Sequence, residues 1–423
     1  MSRPLRVLVV TDSFPPICGG SGWSTWELTK GLIARGHRVD VVKIEIGGPA
    51  AVVDQQYEST HVTIFRQPAP TTPFVRNVVK NEWLWRRLDA YLSSRLSQNN
   101  IDIVHAQHVM TTVPAIRAAR RANVPVVATV RDYWPVCYWS DLIYDPTQHK
   151  LCPECSVSMM TSCVRPRAGR AATAAVSLIP YMRANLSTKR RTLASASAIV
   201  AVSSVIARDL ADRAPEIAST PLYTIPNPID MAALDRATAS VAPAIGPYVL
   251  YAGKLATNKG VQYLLPAVTE ARLSLPLVVI GDGPLRGSLE KDAAARDVDL
   301  RVLGWRARED VWAWMRHATM LAFPSYGPES LSRVLIEAAA LGTPIAAMDT
   351  GGTRDILTHR VTGLLSSDTA SFAHDLAELA NDERLRAALG HAARADVHRR
   401  FAATSVVERI EQVYRGLLPP EAA

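Results

Sequence analysis

Two glutamates, Glu329 and Glu337, stand eight positions apart around Ser330, Leu331 and Ser332, just after a Pro-Ser-Tyr-Gly-Pro turn. Apolar residues at Leu331, Val334, Leu335, Ala338 and Leu341 recur at helical spacing. The pattern predicts a helix over 331–341 with Ser330 as N-cap, closed by Gly342 and Pro344. The unsatisfied NH groups and positive dipole end of such a helix attract an anion and suit a diphosphate. One carboxylate would sit at the helix mouth and the other roughly 10 Å along its flank, away from the apolar stripe. A sugar at Glu329, a diphosphate on the NH groups and a ribose diol at Glu337 match that reach. The competing reading is a capped amphipathic helix carrying two solvated glutamates.

Two further loops carry the residue types that handle phosphate. Gly19 and Gly20 open a helix after the first apolar run, where a glycine pair lets backbone NH groups approach a phosphate or sugar closely. Lys254 and Lys259 lie five apart in a Gly-to-Gly loop that follows another apolar run, and two cations there are suited to a diphosphate. Gly283, in Gly-Asp-Gly-Pro, reads as a turn with a ligand-facing backbone.

These motifs need strands and helices to position them, and the chain alternates the two. Residues 5–10, 37–43, 101–105, 125–130 and 198–202 read as strands, with helices over 23–34 and 114–122. Between residues 225 and 247 the pattern turns Pro- and Ala-rich, which marks a domain boundary. A second series follows, with strands over 248–252, 277–280, 300–303, 320–323 and 344–348. The rhythm predicts parallel sheets covered on both faces. Residues 379–414 read as helical, with a last amphipathic piece over 405–418.

At 423 residues the chain is too long for one ordinary core. Its net charge of +8 favours anionic partners without naming one. No run approaches the roughly 18–20 apolar residues of a membrane span, and the first apolar run is too short for a secretory signal, so a cytoplasmic location is expected. Four of the five cysteines, Cys137, Cys152, Cys155 and Cys163, fall in one window and have the ligand count of a structural zinc site, with structural thiols as the rival. Trp83, Trp85, Arg86 and Arg87 within 74–96, and the arginines of 165–191, suit an anionic bilayer or a lipid-linked acceptor, or else a solvated helix face.

In this order the motifs resemble the retaining glycosyltransferases of family 4 over nearly the whole chain. The resemblance implies an α/β chain with the GT-B fold, two Rossmann-like doubly wound domains facing an interdomain cleft. An acceptor-binding domain would occupy 1–228 and a nucleotide-sugar-binding domain 229–404, with a helix over 405–423 packing back across the first. The resemblance places Gly19 and Gly20 at the donor diphosphate and has Lys254 and Lys259 bind it. It places Glu329 near the donor sugar, Glu337 on the ribose, and Ser330, Leu331 and Ser332 around the distal phosphate. Three positions depart from the family pattern: Lys254 stands where Arg is usual, Pro228 replaces the hinge glycine, and Arg131 replaces a His before Asp132. Arg131 stays charged and cannot act as a base, so Asp132 is the better polar candidate at the sugar site.

The implied function is retaining transfer of a sugar from a nucleoside diphosphate sugar to a hydroxyl of a glycan or glycolipid. No cofactor is required for catalysis, no nucleic acid is expected as partner, and contact with the inner face of an anionic membrane is compatible. The alternatives are a non-hydrolysing sugar-nucleotide epimerase and a catalytically degenerate binding module.

Overall fold

Apolar runs without polar interruption cannot face water on either side, and they form the central strands of two sheets, in which Val7 to Val10 and Val249 to Tyr251 are almost wholly buried. The computed structural model describes residues 3–71, 78–145, 150–237, 243 and 245–419. The chain divides into two compact units, the first Met1–Asp141, Glu154–Pro228 and Ala403–Ala423, the second Leu142–Pro153 and Ile229–Ala402. Parts of the expected boundary (238–242 and 244) and of the basic aromatic region (74–77) lie outside the described residues.

In chain order the strands of the first half are β1 (Arg6–Thr11), β2 (Arg38–Ile46), β3 (Ala51–Tyr57), β4 (Thr60–Gln67), β5 (Ile103–Gln107) and β6 (Val126–Val130). A small hairpin, β7 (Ile143–Asp145) and β8 (Lys150–Leu151), precedes β9 (Ala198–Ala201) and β10 (Leu222–Thr224). The first unit's sheet runs β10-β9-β6-β5-β1-β2-β4-β3. Its pairs are parallel except for the edge hairpin of β3 with β4. That hairpin was not expected, because half of β3 faces water and its sequence lacks a continuous apolar run.

The expected terminal helix forms over Ala403–Gly416. Its Val406, Val407, Ile410 and Tyr414 join Leu28, Leu32, Val41 and Val127 in the first unit's core, and each such side chain contributes about 1.5–3 kcal/mol on burial. Tyr414 reaches His105 Nδ1 at 2.5 Å, while His105 Nε2 meets Thr129 Oγ1 at 2.6 Å. Burial and then the nearby Arg131 charge push His105 down to about 3, so it is neutral at physiological pH. The stretch expected to be helical over 379–414 holds the end of Thr369–Asn381, then Glu383–Phe401 and Ala403–Gly416, with breaks at Asp382, whose carboxylate caps Leu385 N at 2.9 Å, and at Ala402.

The second unit holds β11 (Val249–Ala252), β12 (Leu277–Ile280), β13 (Leu300–Gly304), β14 (Met320–Phe323), β15 (Ile345–Met348) and β16 (Leu364–Ser366). They form one parallel sheet in the order β13-β12-β11-β14-β15-β16. Among the parallel strands of each sheet the order reverses once, between β5 and β1 in the first unit and between β11 and β14 in the second. Open sheets of this kind bind ligands outside the carboxyl ends of the strands at the reversal.

Candidate functional site

Past the carboxyl ends of β11 and β14, three loops pack backbone on backbone. Gly260 has φ +68°, and a Cβ there would lie 1.7 Å from the Pro324 carbonyl oxygen. Gly351 has φ +51°, and a Cβ there would lie 2.1 Å from the Glu329 carbonyl oxygen. That oxygen accepts from Gly352 N at 2.6 Å, and Gly327 N donates to Asn258 O at 3.1 Å. The lysine loop, the glutamate loop and the turn after β15 are thereby locked together. Gly260→Ala is expected to cost about 2–5 kcal/mol, from the positive φ plus overpacking. Comparison of denaturant midpoints measures it, and a cost under 1 kcal/mol would show that these loops are not rigidly coupled.

This packing brings Lys259 to Glu329. Lys259 Nζ lies 2.6 Å from Glu329 Oε1, and Ser325 Oγ donates to the same oxygen at 2.5 Å. Glu329 is only 8% exposed, so its charge is held where water screens it little. Lys254, by contrast, is exposed, and its carbonyl accepts from Tyr251 Oη at 3.0 Å. Gly283 lies in the turn after β12, where its NH meets Asp282 Oδ1 at 2.7 Å.

The glutamate helix differs from expectation at both carboxylates. It runs Arg333–Ala340, and Ser332 rather than Ser330 is its N-cap, with Ser332 Oγ accepting from Leu335 N. Leu331, counted as helical from its spacing, is instead a buried loop anchor at 6% exposure. Glu337 does not face solvent: it is 6% exposed. Its Oε1 receives Arg333 Nε at 2.7 Å, and Arg308 Nε lies 3.8 Å away. Arg308 stacks on Trp312 at 4.2 Å. The first NH groups of this helix have no intrahelical carbonyl to reach. Arg333, four residues before Glu337, was legible as an i,i+4 partner, whereas Arg308 and Ser325 carried no sequence signal.

The remaining candidates belong to the first unit. Gly19 is the N-cap of the Gly20–Ala34 helix, and no side chain caps that end, so its amides keep their anion-binding capacity. Arg131 is buried, donating from Nε to Asn227 Oδ1 at 2.8 Å and from Nη1 to Gln107 Oε1. It therefore joins the ends of β5 and β6 to the segment after β10. Asp132 Oδ1 accepts from Trp134 N at 2.9 Å and so caps the turn that follows β6. Burial pushes its carboxyl above the ordinary range, with Asp12 adding to the rise and His108 and Lys189 opposing it.

The cysteines do not assemble as expected. Cys152 falls in the second unit and the other three in the first. Arg167 Nη1 donates to Cys163 Sγ at 3.2 Å and Arg167 Nη2 to Asp141 Oδ2 at 2.8 Å. Cys137 Sγ lies 4.0 Å from Asp141 Oδ1, and Cys155 packs against an apolar cluster of Met160, Val164 and Met182. Sulfurs around one tetrahedral zinc stand about 3.8 Å apart. Among the described residues, no three of these cysteines bring their ligand atoms within 4.8 Å of one another. Of the aromatic residues considered for membrane contact, Trp85 is core and Trp83 is 60% exposed. No helix among the described residues is long and apolar enough to cross a membrane.

Comparison with known proteins adds to this geometry. Residues 18–233 match the family described as Glycosyltransferase Family 4, and residues 239–396 match Glycosyl transferases group 1. The D-inositol 3-phosphate glycosyltransferase of Xylanimonas cellulosilytica is 25% identical across 94% of this chain and 91% of its own. The 2-deoxystreptamine N-acetyl-D-glucosaminyltransferase of Niallia circulans is 29% identical over 36% of this chain, and the match spans 41% of that protein. The phosphatidyl-myo-inositol mannosyltransferase of Mycobacterium leprae is 32% identical over 45% of this chain, and the match spans 52% of that protein. Among solved structures, sucrose-phosphate synthase from Thermosynechococcus elongatus superposes with a TM-score of 0.74 at 18% identity, covering 98% of this chain and 99% of that one. Anabaena HepE in complex with UDP superposes at 0.65 and 18% identity, covering 97% of this chain and 100% of that one. At that identity the likeness is one of fold, and the fold is GT-B.

Proposed function

The chain belongs to glycosyltransferase family 4, and from that premise we propose that it moves a sugar, with retention, from a nucleoside diphosphate sugar to a hydroxyl of a glycan or lipid-linked acceptor. The observation that carries the reading is the Lys259–Glu329 pair, which follows β11 and β14 at the reversal of the second sheet. Glu329 lies in the loop that leads into the Arg333–Ala340 helix.

In this reading the bond from the anomeric carbon to the diphosphate oxygen breaks, and that oxygen gains negative charge. The Lys259 ammonium meets the charge together with the first amides of the Arg333–Ala340 helix, and the more exposed Lys254 adds to the field. Glu329 orients the sugar and opposes the positive charge at the anomeric carbon. The acceptor oxygen attacks from the face the phosphate leaves, and its proton passes to the departing phosphate oxygen. Atoms and charge balance without a metal. Glu337, fixed by Arg333 and Arg308, holds the ribose diol. Gly19 and Gly20 offer amides to phosphate or sugar, and Asp132 lines the sugar site. Exposed Trp83 beside Arg86 suits an acceptor carried on an anionic membrane.

The test is a thermal-shift panel with UDP-, GDP- and ADP-sugars. A donor at a hundred times its Kd adds about 2.7 kcal/mol of stability, so one base class should raise Tm clearly above the others. Stabilisation by no donor class would remove the nucleotide-sugar site. Conversion of the bound donor to an epimer without acceptor would replace transfer by epimerisation.

A further inference from the structure

We infer that His108, a residue of the first unit outside every motif described above, contacts bound carbohydrate by accepting a hydroxyl hydrogen bond at its Nε2. The inference deepens the transferase reading and rests on it for the identity of the ligand class.

His108 stands one residue past β5, at the reversal of the first sheet, and opens the Val109–Arg121 helix. Its backbone sits at φ +75°, a region that costs a non-glycine residue about 1–3 kcal/mol. Part of that geometry serves the helix, since the His108 carbonyl receives Thr112 N at 3.1 Å and Thr112 Oγ1 at 2.6 Å. Nothing in the helix start explains the ring. Nδ1 lies 2.8 Å from Asp12 Oδ1 and 3.2 Å from Thr11 Oγ1, both from the end of β1. His108 as a residue is 6% exposed, and Nε2 is buried with no hydrogen-bond partner among the described residues. An unsatisfied buried nitrogen costs about 1–3 kcal/mol.

The two ring nitrogens have different jobs. A carboxylate against Nδ1 holds the proton there and leaves the Nε2 lone pair as an acceptor. A lone pair needs a donor, which a diphosphate cannot supply and a sugar hydroxyl can. Asp132, just past β6, is electrostatically coupled to both His108 and Lys189. They supply polar company for a ligand at the carboxyl ends of β1, β5 and β6.

The experiment follows the His108 side chain by 15N NMR in the full chain, assigned through the loss of its signal in His108→Gln. The reference is the ligand-free spectrum, in which a proton on Nδ1 beside Asp12 leaves Nε2 as the acceptor. The probes are UDP alone, UDP-glucose and GDP-mannose, and the polyols D-glucose and myo-inositol. A shift of Nε2 with a sugar nucleotide but not with UDP identifies the hydroxyl as the donor sugar's. A shift with a polyol identifies it as the acceptor's. Both support the inference, and Nε2 unmoved by every carbohydrate overturns it. In parallel, His108→Ala should lower donor hydrolysis or transfer about tenfold, the effect of one lost hydrogen bond, with His108→Gln recovering part of it. A purely structural histidine would lower Tm in both variants and leave Nε2 unmoved. If no donor stabilises the wild type, the transferase reading fails, and the polyol arm still decides His108.

Discussion

Lys259→Ala is expected to lower turnover by two to three orders of magnitude, the effect of removing about 3–4 kcal/mol of charge stabilisation from a departing oxygen. The reason is local. Lys259 is only partly exposed, and its ammonium is held by the nearly buried Glu329 at 2.6 Å, so it is already placed and needs little reorganisation when charge develops. Lys254 is exposed, and an exposed charge acts through water, so Lys254→Ala should cost less than about tenfold. Lys259→Arg keeps the charge but not the compact ammonium, and should fall between the two. Single-turnover rates at saturating donor measure the chemical step. Full turnover in a folded Lys259→Ala protein would take Lys259 out of the mechanism.

Glu337 allows a second large effect to be separated into two parts. Its carboxylate, at 6% exposure, sits against Arg333 and Arg308, which are themselves nearly buried. Glu337→Ala removes a carboxylate that both guanidinium groups face, and breaking a buried pair from one side costs about 3–5 kcal/mol. A drop in Tm alone would therefore say nothing about ribose. Glu337→Gln keeps the shape and one acceptor oxygen while removing the charge. A charge-assisted hydrogen bond to a ribose hydroxyl is worth about 1.5–3 kcal/mol, so donor affinity in this variant should fall roughly ten- to a hundredfold. Calorimetric titration with the donor found in the thermal panel gives the number. Undiminished affinity in Glu337→Gln would leave Glu337 as the centre of a structural ion pair and nothing more.

Period and punctuation carry much of this protein. The apolar runs at 5–10, 248–252 and 320–323 can only be buried strands, and Gly342, at φ +74°, ends the glutamate helix where the spacing puts it. Residue type and local order alone were therefore enough for two α/β units built on parallel strands and for the family, but not for the contact of Lys259 with Glu329. Each of these depends on neighbours within a few residues, or on the order of motifs along the chain. The cap of the same helix was misplaced by two residues. Ser330 and Ser332 are equally good caps by type, and the folded chain uses Ser332, with Leu331 buried in the loop before it.

The remaining features depend on residues far apart in the chain. Ser325 on Glu329, Arg308 on Glu337 and Asp12 on His108 are each set by which loops the sheets bring together. Glu337 reads as a solvated residue on a helical wheel and is buried in fact, because a neighbouring helix supplies Arg308 and Trp312. The cysteine window shows the opposite failure, since a sequence spacing that fits a metal did not bring three sulfurs within common reach. Hydrophobic periodicity is a property of a segment and survives in isolation. The charge state and accessibility of a carboxylate, thiol or imidazole depend on the atoms packed around it, and only the folded chain supplies those atoms.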